Sequence, residues 1–365
     1  IPEEYFLWIK DLENAKDGSN DDIVDKIMDE CKASQKRIET GIQLLVDDDD
    51  ARLAFCFANK AINLQNQWKK QGRDLDYRPF QIAFILMTLE SILDGDSQDR
   101  DVCDLLWVPT GGGKTEAYLV LVAIDMAYRR LKAIRKGKSG SGVSVFTRYT
   151  LRLLSIQQFR RSLQIFAAAE LLRVENTGSG NIGWRPNSST ETKNVLWGST
   201  PFSVGLWVGQ SLTPNYLKKW WNNQEHGALE ALKISPKDSN DLGISEPAQI
   251  LNCPACNNIL SIPRNGLEKN IPQTLNLVIQ SDSSVKLLEN SLKSFTHADF
   301  NITQKTFSEI NPGYFVLKIT FTSTKDIDWK SICGPSGLWT EIKNQMVTQN
   351  LVSDRCLQST SAANP

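Results

Sequence analysis

The stretch LLWVPTGGGKTEAYLVLVAIDMAYRR, Leu105 to Arg130, runs from an apolar segment through three glycines into Lys-Thr, then into a long apolar-periodic helix. A strand, a glycine-rich turn and a helix in that order form a phosphate cradle when the turn ends in Gly-Lys-Ser/Thr. Gly111, Gly112 and Gly113 let backbone N–H groups face an anion without Cβ clashes, and the helix that follows presents its positive end to the same anion. Lys114 is positioned to reach the β- and γ-phosphates of a nucleotide, and the Thr115 hydroxyl to coordinate Mg²⁺. The expected nucleotide-binding residues here are Thr110, Gly111, Gly112, Gly113, Lys114, Thr115 and Glu116, with Lys114 and Thr115 as the catalytic pair. One departure is plain: the first glycine of the strict pattern falls on Val108.

Outward from the turn, the pattern is strand, helix, strand, helix. VCDLLWVP and GVSVF read as buried strands, and TEAYLVLVAIDMAYRRLKAIRK and LRLLSIQQFRRSLQIFAAAELLRV read as long helices. Such alternation predicts parallel pairing through right-handed crossovers, hence an α/β domain with a parallel sheet. FSVGLWVG would be its third strand, after a polar loop excursion from Glu175 to Asn194. Before the sheet, three amphipathic segments from Asp21 to about Leu93 predict an all-helical layer, the third starting near Pro79 and stopping at Gly95. Between them, Asp47 to Asp50 reads as a solvated acidic turn. After Thr213 regularity fades: a basic aromatic helix at NYLKKWWNNQ, a CPAC pair, and peripheral strands at QTLNLVIQ and GYFVLKITFTST. The expected division is 1–100 helical, 101–215 sheet domain, 216–345 accessory insertion and 346–365 a lead-in to a further motif.

Composition bounds the rest. The 365 residues are 41% hydrophobic and 23% charged, with a net charge of −1, so DNA binding would need a local basic face rather than a global field. No apolar run is long enough for a membrane span, and the acidic start lacks the form of a signal peptide. Seven cysteines, an odd number with one tight pair, fit a reducing, cytoplasmic compartment. Cys253 and Cys256 have the spacing of a zinc knuckle, with Cys333, Cys356, His226 and His297 as candidate further ligands of Zn²⁺. Cys31, Cys56 and Cys103 occupy apolar periodic positions and read as core.

Three further segments carry chemistry in the right order. Gln81, in YRPFQ, offers the donor and acceptor that pair with adenine. Thr147 and Arg148 follow directly after an expected strand, where ligands of α/β sheets bind, and suit nucleic-acid phosphates. Gly209 and Thr213, in GLWVGQSLTPN, form a weaker turn signal of the same kind, whereas Arg160 and Arg161 read as a solvated helix face.

The form Pro109 to Thr115, with YRPFQ before it and FTRYTLRLL after it, resembles the motifs of superfamily 2 helicases. Together with AFCFANKAINLQNQW, GLWVGQSLTPN and CPAC, the chain from Ala51 to Leu260 resembles the DrmA family, the helicase subunits of DISARM anti-phage systems. That resemblance implies a RecA-like P-loop ATPase that binds ATP, Mg²⁺ and DNA, works with a second defence protein, and acts without a membrane. It assigns adenine to Gln81 and the DNA backbone to Thr147, Arg148, Gly209 and Thr213. No Asp-Glu-x-His box follows the cradle, and the first residue is Ile rather than Met, so part of a longer motor is expected. The competing readings are a P-loop NTPase of another class, such as a kinase or transporter ATPase, and a nucleotide-binding subunit that does not hydrolyse.

Overall fold

The structure, a computed structural model, describes residues 2–14, 21–69, 72–109, 111–149, 152–178, 180–209, 212–218, 227–233, 245–263, 266–311, 313–352 and 357–359. It is a mixed helix-and-sheet protein whose contacts divide it into two units, Ile1–Gly205 and Leu206–Pro365.

The first unit is built on helices: α1 Pro2–Asn14, α2 Asp21–Asp47, α3 Asp49–Lys69, α4 Pro79–Leu93, α5 Lys114–Arg135 and α6 Arg152–Val174. Small residues on α3 and α5 bring these two together: Ala54, Ala58 and Ala61 share one core with Val120, Ile124, Ala127 and Leu131. On α6, Ile165, Ala168, Ala169 and Leu172 join the same core. The polar excursion after α6 makes a minimal hairpin of β1 Asn176–Gly178 and β2 Asn181–Ile182. It then returns to bury Trp197 and Phe202 against Phe57, with ring centroids 4.2 and 5.9 Å away. The buried Arg130 of α5 anchors that return, donating to the carbonyls of Trp197 (3.0 Å) and Thr200 while its guanidinium covers the Phe202 ring at 4.4 Å.

Helix α2 crosses α4 closely at Gly41, where an added Cβ would come 2.0 Å from the Leu86 carbonyl oxygen. Gly41→Ala is therefore expected to destabilise the protein by about 1–3 kcal/mol, the usual range for overpacking. The check is its denaturant midpoint, and an unchanged midpoint would refute this crossing.

The acidic turn expected to be solvated at Asp47–Asp50 is exposed at Asp47 and Asp49 but not at Asp48 and Asp50. Asp50 is 5% exposed, and the guanidinium of Arg135 grips both its carboxylate oxygens, Nε at 2.8 Å from each. Asp48 takes Lys132 at 2.9 Å and Tyr128 at 2.8 Å, and it caps α3 through the N–H of Asp50 at 2.8 Å. The basic last turns of α5 and the open N–H groups of α3 converge on this corner, which pattern along the chain does not reveal.

The expected parallel sheet is not formed among the described residues. VCDLLWVP, GVSVF and FSVGLWVG carry no hydrogen-bonded ladder, and the sheets that do form are antiparallel. In the first stretch exposure alternates: Leu105 and Trp107 are 86% and 91% exposed, while Asp104, Leu106 and Val108 on the other face are partly covered. A parallel strand needs hydrogen-bonding neighbours at its sides and cover on both faces.

In the second unit, β3 Gln273–Gln280, β4 Asn301–Asn311, β5 Tyr314–Thr322 and β6 Leu357–Ser359 form one antiparallel sheet in the order β4-β5-β3-β6. Alternate residues of β5 (Phe315, Leu317, Ile319, Phe321) pack under α8 Val285–Ser291, α9 Trp329–Cys333 and α10 Leu338–Thr348. The short α7 Ala228–Lys233 precedes them. The strands expected at QTLNLVIQ and GYFVLKITFTST are present; β4 was not expected. Of the expected helix NYLKKWWNNQ, residues 215–218 are bend and irregular rather than helical, and the rest, with Trp220 and Trp221, lies outside the described residues. Among the described residues no helix is long and apolar enough to cross a membrane.

Candidate functional site

The glycine turn sits at the N-terminus of α5. Gly111 and Gly113 adopt left-handed backbone, φ 81° and 92°, which β-carbons disfavour. Gly112 closes the turn by donating its N–H to the Pro109 carbonyl at 3.0 Å. A Cβ there would lie 2.8 Å from Val108 Cγ1 and 2.9 Å from the Pro109 oxygen. Each glycine is thus required for a separate reason, two by dihedral angle and one by space. Thr110, between Pro109 and Gly111, lies outside the described residues.

Helix α5 begins at Lys114 with Gly113 as its N-cap, so its first N–H groups have no side-chain cap. Lys114 folds its ammonium over the turn, donating to the carbonyls of Val108 and, at 3.3 Å, Pro109. The segment leading in is held by α2: Arg37 forks onto both oxygens of Asp104 at 2.6 and 2.8 Å and reaches Asp99 at 3.0 Å. The Asp104 bond, with both carboxylates nearby, raises the Arg37 pKa further.

Gln81 is 4% exposed and uses both ends of its amide within the chain. Its Oε1 accepts from the Arg78 N–H at 2.8 Å, closing the first turn of α4, and its Nε2 donates to the Gly113 carbonyl at 2.7 Å. The side chain expected at adenine is thereby a strut from α4 to the glycine turn. A Cβ on Gly113 would meet that same Nε2 at 2.7 Å.

Two partners that spacing did not show lock the first turns of α5 to α6. Glu116 pairs with Arg161, which is therefore not a free solvated residue as expected. Tyr118 Oη lies 2.8 Å from Gln158 Oε1, 3.2 Å from Thr115 Oγ1 and 3.0 Å from Tyr149 Oη. Burial, then the Tyr118 hydrogen bond, pushes the Tyr149 phenol above its ordinary pKa. Thr147 and Arg148, just before Tyr149, are exposed at the end of a segment whose start is held by Arg129, through the carbonyls of Val143 and Ser141. Gly209 and Thr213 belong to the second unit, where the Leu212 N–H closes a turn on the Gly209 carbonyl at 2.9 Å.

The CPAC pair forms a tight knuckle in the second unit. The Cys253 N–H donates to the Asn258 carbonyl (2.7 Å), the Asn257 N–H to the Cys253 carbonyl (2.9 Å), and Asn257 supplies the left-handed residue at φ 58°. Asn276 Nδ2 points at Cys256 Sγ from 3.6 Å. Burial, reinforced by the Cys253 thiol, raises the Cys256 pKa against the pull of the Asn258 N–H and Lys318. Among the described residues no group of three His, Cys, Asp or Glu is arranged to hold a metal, so Cys333 and His297 do not complete a set with the knuckle. Cys356 and His226 lie outside the described residues. Of the expected core cysteines, Cys31 and Cys56 are partly buried and Cys103 is exposed.

A three-glycine turn thus opens a long helix whose first residues are Lys114 and Thr115. No family model matches the sequence. Over 274 residues the chain is 34% identical to the DISARM protein DrmA of Bacillus paralicheniformis, an alignment covering 70% of this chain and 22% of that relative. The chain belongs to the DrmA family, and it spans about a fifth of the length of the curated relative it matches.

Proposed function

We propose that this chain is the nucleotide-cradle portion of a cytoplasmic superfamily 2 DNA helicase or translocase serving a DISARM anti-phage system alongside a second defence protein. In this reading Gly111 to Thr115 hold ATP with Mg²⁺, and the stretches before the cradle and before Thr147 belong to a RecA-like motor domain. Thr147 and Arg148 contact DNA phosphates, and Gly209 and Thr213 are assigned to the DNA backbone as well.

The observation that carries the reading is the glycine turn. Its two left-handed glycines, its sterically closed third glycine and its lysine form an anion seat at an uncapped helix N-terminus. A helix-capping turn with no ligand needs neither Lys114 nor a Gly112 closed against Val108. The resemblance of the flanking motifs, and membership of the DrmA family, favour a helicase over other P-loop enzymes.

The test is ATP turnover by the full-length protein with and without single-stranded DNA. DNA-stimulated hydrolysis is expected; turnover indifferent to DNA would assign the cradle to another class of P-loop enzyme. Arg148 gives a second check. Arg148→Ala should weaken DNA binding and reduce the slope of log affinity against log salt by about one, the share of one phosphate contact. A salt series giving the wild-type slope would remove Arg148 from the DNA interface.

A further inference from the structure

We infer that the Tyr118 hydroxyl is the joint between the nucleotide cradle and the segment that ends in Thr147, Arg148 and Tyr149. The inference rests on the P-loop and DNA reading above and adds a coupling residue to it.

Its basis is a hydrogen-bond junction centred on the Tyr118 hydroxyl. Gln158 Oε1 can only accept, so at 2.8 Å it takes the single Tyr118 hydrogen. That hydrogen is shared, at the longer distance of 3.2 Å, with the Thr115 oxygen, and the Tyr118 oxygen accepts from the Tyr149 hydroxyl at 3.0 Å. Three elements meet at one oxygen atom: the first turn of α5 through Thr115, the start of α6 through Gln158, and the segment before α6 through Tyr149.

The junction is partly buried, so its bonds are not diluted by water as surface hydroxyl contacts are. The Glu116–Arg161 pair braces the same two helices one turn away, so a shift of Tyr149 cannot be absorbed by sliding α6 freely past α5. A DNA strand that draws on Thr147 and Arg148 pulls on the residue next to them, and the pull reaches the Thr115 hydroxyl through two hydrogen bonds. Coupling of binding sites is reciprocal, so nucleotide at Thr115 must alter DNA affinity by the same factor.

The experiment measures binding in the full-length protein, using a non-hydrolysable ATP analogue with Mg²⁺ and a single-stranded oligonucleotide, each titrated with and without the other. The wild type is expected to show a coupling factor on the order of tenfold. Tyr118→Phe and Tyr149→Phe each remove one oxygen and keep the ring. Each should bring the factor close to one, leaving thermal unfolding and both separate affinities nearly unchanged. The double variant should lose no more than either single one, because both cut the same connection.

Coupling retained in either variant overturns the inference, as does loss of nucleotide binding itself in Tyr118→Phe. The two substitutions act from opposite ends, so misfolding of one leaves the other decisive. Wild-type protein that binds both ligands without coupling overturns the inference alone. Wild-type protein that fails to bind ATP or DNA overturns the functional reading and the inference with it.

Discussion

Lys114→Ala is expected to lower affinity for ATP with Mg²⁺ by about two orders of magnitude while leaving DNA affinity within about twofold. The ammonium lies over the turn on the carbonyls of Val108 and Pro109, the edge of the seat where nucleotide phosphates would rest. A charge-assisted hydrogen bond contributes about 1.5–3 kcal/mol, and its upper end corresponds to that hundredfold change. The same substitution frees the two carbonyls, so a modest loss of thermal stability is expected beside the binding defect. Lys114→Arg tests geometry rather than charge: a planar fork cannot reproduce a compact ammonium there, and rescue should be poor. Nucleotide bound equally well by Lys114→Ala and wild type would show that the cradle is only a helix start.

Gly113→Ala is the second large effect, and Gly111→Ala is its control. Both residues have positive φ, so an alanine at either meets the left-handed penalty of roughly 1–2 kcal/mol. At Gly111 the new Cβ meets nothing within 4 Å, whereas at Gly113 it meets Gln81 Nε2 at 2.7 Å. Gln81 must then withdraw from the Gly113 carbonyl, leaving a buried amide unsatisfied at a further cost of about 1–3 kcal/mol. Gly113→Ala should therefore lose clearly more stability than Gly111→Ala in parallel denaturant titrations, and more than tenfold in nucleotide affinity. Equal losses in the two variants would mean that the Gln81 strut contributes nothing.

The features legible in the sequence share a physical character. Helices α4 and α5 follow from apolar spacing, a proline at the first turn of α4 and glycines just past their ends, and α6 from a long run free of glycine and proline. The glycine turn follows from three residues without Cβ where backbone must bend. Strands β3 and β5 follow from period-two alternation, visible as buried and partly buried residues in turn. Strand β4 had no such signal. It lies at the sheet edge and takes its register from β5, with irregularities at Ile302/Gln304 and Glu309/Asn311.

What pattern did not disclose is which residues meet. Gln81 reaches Gly113 across 32 positions, Tyr118 reaches Gln158 across 40, Arg37 reaches Asp104 across 67, and Arg135 reaches Asp50 across 85. Each is an ordinary polar residue on an ordinary helix face, and nothing in its own neighbourhood names its partner. The expected parallel sheet shows the same limit. The apolar stretches were found where the sequence places them, but pairing is a property of neighbouring strands, and Leu105 and Trp107 face outward without them. Backbone sterics and helical periodicity act within a few residues, so the chain alone determined the glycine turn, its helix and the amphipathic layer before it. The Gln81 strut, the Tyr118 junction and the clasp on Asp50 were decided only when folding brought distant hydrogen-bonding groups out of water and against one another.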